Sequence, residues 1–193
     1  MLKDTHSTKI KIFETARKLA LDKGFEDLTI RDICSDAEIS IGAFYHHFSS
    51  KEEMINESFL MYDYDLDSRL SLYQQSTPLL SLKNIFLDQV SFVSSFPHKL
   101  VAEYYRAILS STSKGAVNED RIYYKAVDYF VGLAIDTQQF TSKYTKEYLT
   151  NYFIKYIRGN LIHWCLNPNK MDVLAQTSEE LDELFDLFTN RTL

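Results

Sequence analysis

Proline, glycine and cysteine are all scarce in this chain, at 3, 5 and 2 of 193 residues. So few turn formers argue against a turn-rich all-β protein and against a collagen-like repeat. With 45% hydrophobic and 25% charged residues, the chain is not largely disordered either. Its two thiols, Cys34 and Cys165, stand far apart in no CxxC pattern, which suits a reducing compartment better than a disulfide framework. No apolar run approaches the roughly 18 residues of a membrane span, and Met1 to Ser7 carry no signal-peptide core, so a soluble, cytoplasmic protein with no membrane partner is expected. Positive charge is not in excess: 21 Lys and Arg stand against 27 Asp and Glu, a net −6. The chain as a whole therefore has no pull on nucleic acid, and any DNA contact must be local.

What is present is helical periodicity. Ile12, Phe13, Ala16, Leu19 and Ala20 predict a first helix from Ile10 to Gly24. Thr29 is placed as the N-cap of a second, with Ile30, Ile33, Cys34 and Ala37 on one face, and Ser40 to His47 fit a short third. Ser50 and Glu53 make a capping-box pattern for a fourth helix running to about Leu72. Further helices are predicted from Pro78 to about Phe96, from Leu100 to the polar run Ser110–Gly115, from Asn118 to about Phe140 and from Lys146 to Leu166, with Thr177 and Glu180 as the capping box of the last. The expectation is an all-α fold of about nine helices, with no strand of sustained period-two alternation.

Three short helices in the first 48 residues, the second and third joined through Asp36-Ala37-Glu38-Ile39, have helix-turn-helix dimensions. Small residues at the start of the third helix, Ser40, Gly42 and Ala43, let its backbone approach a DNA groove. Tyr45, His47 and Lys51 can reach phosphates, while Ile41, Ala43, His46 and Arg31 can read base edges. Phe44 and Phe48 are expected in the core. The string Ile39-Ser40-Ile41-Gly42-Ala43-Phe44-Tyr45-His46-His47-Phe48-Ser49-Ser50-Lys51-Glu52-Glu53-Met54, preceded by Leu28-Thr29-Ile30-Arg31-Asp32-Ile33, resembles the tetracycline-repressor (TetR/AcrR) family of bacterial transcription regulators over about Ile10 to Phe59. The resemblance implies similar roles at these positions and adds Thr29 as a phosphate contact. It departs from the family at Glu38, where Gly is common. Residues 1–60 also hold 8 Lys or Arg against 11 Asp or Glu, so basic residues such as Lys3, Lys9, Lys11, Arg31 and Lys51 must be segregated on one face.

The resemblance further implies a domain division, 1–50 for DNA binding and 51–193 for effector binding and dimerisation, with helix four, about 51–72, joining them. After Leu60 come 12 of the 13 Tyr, 8 of the 13 Phe and the only Trp. Phe92, Phe96, Tyr104, Tyr105, Ile108, Tyr124, Val127 and Trp164 are the candidates to line a pocket for an apolar or aromatic small molecule. Gly159 costs about 1 kcal/mol within a helix, which a close helix–helix approach would explain. Together with Tyr156, Leu181, Leu184, Phe185 and Phe188 it forms the expected homodimer seam. Adjacent His46 and His47 diverge on a helix and no third ligand has zinc-like spacing, so no metal and no cofactor are expected. The chain lacks HExxH, Walker, GxSxG and dinucleotide motifs, which disfavours a small-molecule enzyme. The expected function is a ligand-responsive regulator, a repressor binding a pseudo-palindromic operator in double-stranded DNA; the alternative is a helical protein-interaction module without DNA binding.

Overall fold

A computed structural model describes residues 2–24, 27–110 and 118–189, without the side chains of residues 2–7, 59, 107 and 110. Among the described residues there are nine helices: α1 (Leu2–Lys23), α2 (Ile30–Asp36), α3 (Ile41–His47), α4 (Lys51–Tyr73), α5 (Pro78–Ser94), α6 (His98–Ser110), α7 (Ile122–Asp136), α8 (Lys146–Leu166) and α9 (Val173–Phe188). Extended pairing among them is limited to one isolated bridge, Phe140 to Thr189. The side chain of Lys3 and the expected loop from Ser111 to Gly115 lie outside the described residues. By packing, the chain forms two units, Met1–Leu60 with Phe96–Ser113 and Met61–Ser95 with Lys114–Leu193. Residues 51–60 and α6, assigned from the sequence to the second domain, thus pack with the N-terminal helices.

The N-terminal unit is built on a small apolar core. Ile12, Phe13, Ala16 and Ala20 of α1 are buried with Leu28, Ile33, Cys34, Phe44, Phe48, Met54 and Ile55. The Phe48 ring sits 5.2 Å from Phe13 and 5.5 Å from Phe44, so both expected core rings are in place. α1 begins at Leu2 and not at Ile10, because Leu2 to Lys9 contain neither Gly nor Pro to stop it. It ends as expected at Gly24, whose φ of +83° costs a glycine little.

In the C-terminal unit α5 is central and packs against α7, α8 and α9. Leu82, Ile85, Phe86 and Val90 supply its buried face. Phe153 of α8 stacks on Phe140 at 5.6 Å and meets Phe185 edge-on at 5.3 Å and Phe188 at 5.6 Å. Leu181 is fully buried and Phe185 and Phe188 are 6% and 7% exposed. This corrects the expected seam: those three side chains fill the chain's own core, because the rings of α8 and the α7–α8 connection need them. Of the other seam residues, Leu184 is half-buried, Gly159 is exposed, and Tyr156 is half-buried and donates its hydroxyl to Glu180.

Helix ends also differ from expectation where another residue caps first. α9 starts at Val173 because the Asp172 carboxylate accepts from the Ala175 N–H at 3.0 Å. Thr177, expected as a cap, is wholly buried within the helix, and Glu180 accepts from Asn160 of α8. α5 stops at Ser94, two residues before Phe96, and α7 spans Ile122–Asp136 in place of Asn118 to Phe140, with Gln138 at φ +59° just beyond its end.

Candidate nucleic-acid interface

The connection between α2 and α3 is a left-handed helix stop made without glycine. Glu38 holds φ +51°, the Ile39 N–H bonds the Cys34 carbonyl at 2.9 Å, and the Glu38 N–H bonds the Ser35 carbonyl at 3.2 Å. That pair of bonds turns the chain sharply, and the doubt raised by Glu38 resolves as a strained residue in the expected turn. Ser40 then caps α3, its Oγ accepting from the Ala43 N–H at 3.0 Å.

The sequence of α3 sorts cleanly by face. Phe44 is buried and Ala43 and His47 are half-buried, while Ile41 (44% exposed), Gly42, Tyr45 (54% exposed) and His46 face outward. A side chain on Gly42 would meet only the Ser40 Oγ, at 3.8 Å. Among the described residues nothing requires that glycine. Ile41 and Tyr45 stand exposed four residues apart on one face, the Tyr45 ring meeting Phe44 edge-on at 5.7 Å.

Two expected phosphate contacts are engaged internally. The Thr29 hydroxyl donates to Asp32 Oδ2 at 2.6 Å and accepts from the Asp32 N–H at 3.2 Å, and the Thr29 N–H donates to the same carboxylate at 2.9 Å. This is a complete capping box, of which the sequence reading saw only Thr29. Its hydroxyl caps α2, and the side chain remains exposed. The Lys51 ammonium donates to the Leu28 carbonyl at 2.8 Å, fixing its stem beside the start of α4. Ser50 caps that helix as expected, accepting from the Glu53 N–H at 3.0 Å, but the Glu53 carboxylate accepts from the Ser49 N–H instead of from Ser50.

The acidic balance of this unit is largely absorbed in pairs. Lys9 meets Glu57 at 2.9 Å, Lys23 meets Asp32 at 2.8 Å, and Lys18 lies 3.7 Å from Asp36. Hydrogen bonds from Lys23 and Thr29 hold the Asp32 carboxyl far below the usual carboxylate range. Asp32 is therefore taken, and Arg31, exposed, forms no ion pair among the described residues. Burial, with the neighbouring His46 and Lys9, lowers the His47 pKa, which favours the neutral ring.

The residues expected to line a pocket are divided between the units. Phe96, Tyr104, Tyr105 and Ile108 belong to the N-terminal one, where Phe96 closes a cavity of about 10 Å³ with Phe13, Arg17 and Met54, room for no more than a water. Phe92, Tyr124, Val127 and Trp164 belong to the other. Val127 is wholly buried as core, whereas Phe92, Tyr124 and Trp164 are half-buried. A cleft of about 480 Å³ opens between α7 and α8 beside Asp128, Tyr129, Tyr144 and Lys146, and none of the expected residues lines it. Neither thiol is poised as a nucleophile: Cys34 is buried, and burial pushes the Cys165 pKa up to about 11. Among the described residues no three His, Cys, Asp or Glu side chains gather as a metal site.

The segment that carries this face is recognised by comparison. Residues 12–57 match the family model described as bacterial regulatory proteins, tetR family. The HTH-type transcriptional repressor KstR2 of Mycolicibacterium smegmatis is 35% identical over 86 residues, 42% of this chain and 40% of that protein. The HTH-type transcriptional regulator UidR of Escherichia coli is 35% identical over 60 residues, 31% of each. These matches span less than half the length of the curated relatives. Over nearly the whole chain the fold is similar to that of FadR from Bacillus subtilis, solved in complex with stearoyl-CoA (TM-score 0.65, 15% identity, 91% of this chain and 96% of that one). It is equally similar to a TetR transcriptional regulator from Streptomyces coelicolor (TM-score 0.64, 16% identity, 95% and 99%). The segment that holds α2 and α3 is thus matched in sequence by the tetR family of bacterial regulatory proteins, and the helical architecture is similar in fold to a TetR regulator.

Proposed function

We propose that the protein is a ligand-responsive transcription regulator, a repressor that binds a pseudo-palindromic operator as a homodimer, with α3 of each subunit in successive major grooves roughly 34 to 36 Å apart. The observation that carries this is the outward face of α3, where Gly42 answers to no internal contact and Ile41, Tyr45 and His46 stand exposed around it. Arg31, Ile41, Ala43 and His46 read base edges. Ser40, Tyr45, His47 and Lys51 hold phosphates. The C-terminal unit takes a small effector of largely apolar character, a class that includes acyl chains such as the one FadR holds. Gel retardation with DNA flanking the protein's own gene tests the reading. A retarded band that Gly42→Leu abolishes, in a variant with unchanged helicity, is the expected result. Wild-type protein that shifts no flanking fragment, or a Gly42→Leu variant that binds as well, overturns it.

A further inference from the structure

The sequence places Lys9 among the basic residues expected near DNA, yet its ammonium is taken up inside the N-terminal unit. It donates to Glu57 Oε2 on α4 at 2.9 Å and stands 5.3 Å over the Phe48 ring. Each side chain of the ion pair is about one-third exposed. Lys9 and Phe13 lie one turn apart on α1, and the Phe13 ring meets the same Phe48 ring at 5.2 Å.

Phe48 is where α3 ends. Its N–H bonds the Phe44 carbonyl at 3.0 Å, and its extended backbone leads through Ser49 and Ser50 into α4. The half-buried His47 ring lies 6.2 Å from that of Phe48. Glu53 ties Ser49 and Ser50 to the first turn of α4, a bond local to the junction, whereas Lys9 joins the junction to α1. A Lys9 ammonium drawn out to a phosphate would uncover the Phe48 ring and leave the Glu57 carboxylate half-buried without its partner, and in place its charge is cancelled by that carboxylate.

We infer that Lys9 is a positioning residue of the α3 reading face and not a DNA contact: by joining α1 to Phe48 and Glu57 it fixes how α3 runs into α4, and with it the place of His47. The inference rests on the regulator reading above and adds a residue to its machinery.

The test uses the flanking DNA fragment that the parent protein retards, at pH 8 and a series of salt concentrations. An exposed ion pair and a cation–ring contact together correspond to about a three- to tenfold change in an equilibrium constant. Lys9→Met should therefore weaken binding by about that factor with helicity and salt slope unchanged, and Lys9→Arg, which keeps both contacts, should restore most of the loss. A slope lower by about one in Lys9→Met makes Lys9 a phosphate contact and overturns the inference. Binding equal to that of the parent overturns it too, leaving the pair without a role in reading. Lys9→Gln repeats the measurement with a smaller change should Lys9→Met lose helicity.

Proton NMR of the free protein tests the same placement without DNA. The charged groups around His47 are His46 on α3, Lys9 on α1 and, around Lys9 itself, Glu53 and Glu57 on α4. Lys9→Met should raise the pH at which the His47 ring titrates, since a like charge is removed, and Lys9→Arg should not. A His47 ring unmoved in Lys9→Met overturns the placement. If His47 responds as expected while the parent protein retards no flanking fragment, the regulator reading falls and Lys9 keeps its place at the junction.

Discussion

Glu38 offers the sharpest test of how the reading head is held. A side chain at φ +51° costs about 1–2 kcal/mol relative to right-handed backbone, and glycine escapes that cost while losing about 0.4–1 kcal/mol more conformational entropy on folding. The difference leaves Glu38→Gly about 0.5–1 kcal/mol more stable than the parent chain. At the 2–4 °C per kcal/mol typical of chains near this size, that is a rise in Tm of about 1–4 °C. The ion pair lost with Glu38 does not cancel it, since Lys11 lies 3.9 Å away and both side chains are exposed, which is worth a few tenths of a kcal/mol at most. Glu38→Gln separates the contributions: it keeps the strain and removes the charge. Thermal melts should place Glu38→Gln within about 1 °C of the parent and Glu38→Gly above both. Both variants also remove a negative charge one residue from the Ile39–Ser40 entry to α3, so both should tighten operator binding at low salt by similar factors, with the gain fading as salt rises. A Glu38→Gly protein no more stable than Glu38→Gln would refute the strain; equal operator affinity for all three at low salt would refute the placement of Glu38 beside DNA.

Arg31→Ala and His46→Ala should alter sequence preference in a binding-site selection, whereas Lys51→Ala should weaken all sites alike, lower the salt slope by about one, and reduce Tm because its bond to the Leu28 carbonyl is lost. The Asp32 carboxyl, depressed below its unfolded value near 4, contributes stability in full above that value and loses it as pH falls, so Asp32→Asn should flatten the acid limb of a Tm-against-pH curve. Phe188→Asp should lower Tm steeply by placing a carboxylate among the Phe140 and Phe153 rings, while Leu187→Asp, at a position 74% exposed, should leave the Tm of the subunit nearly unchanged. Gly159→Ala should gain about 1 kcal/mol of helix stability yet weaken self-association in sedimentation equilibrium, and an unchanged dimer would remove Gly159 from the interface.

Much of the fold was legible because it rests on local rules. Gly24 ends α1, Thr29 and Ser40 cap their helices, and α8 occupies Lys146–Leu166 as its periodicity dictates. The errors arose where periodicity is silent about partners. Leu181, Phe185 and Phe188 form an apolar stripe whichever neighbour covers it, and only the rings of Phe140 and Phe153 show that the neighbour is the same chain. The buried Asp63–Arg121 pair was illegible for a related reason: its positions look like ordinary polar breaks until the fold brings residues 58 apart in sequence into contact. Glycines make the distinction most clearly. Gly24 is explained by its own backbone angle, and Gly132 by Lys146, whose Cδ would lie 3.1 Å from an added Cβ. Gly42 and Gly159 have neither reason, since an added Cβ would meet only Ser40 Oγ at 3.8 Å in one case and nothing within 4 Å in the other. A glycine in a helix interior, as Gly159 is in α8, carries a cost of about 1 kcal/mol. Gly42 is exposed on α3 and Gly159 on α8, and the Gly42→Leu and Gly159→Ala variants test whether DNA closes on the first and a second subunit on the other.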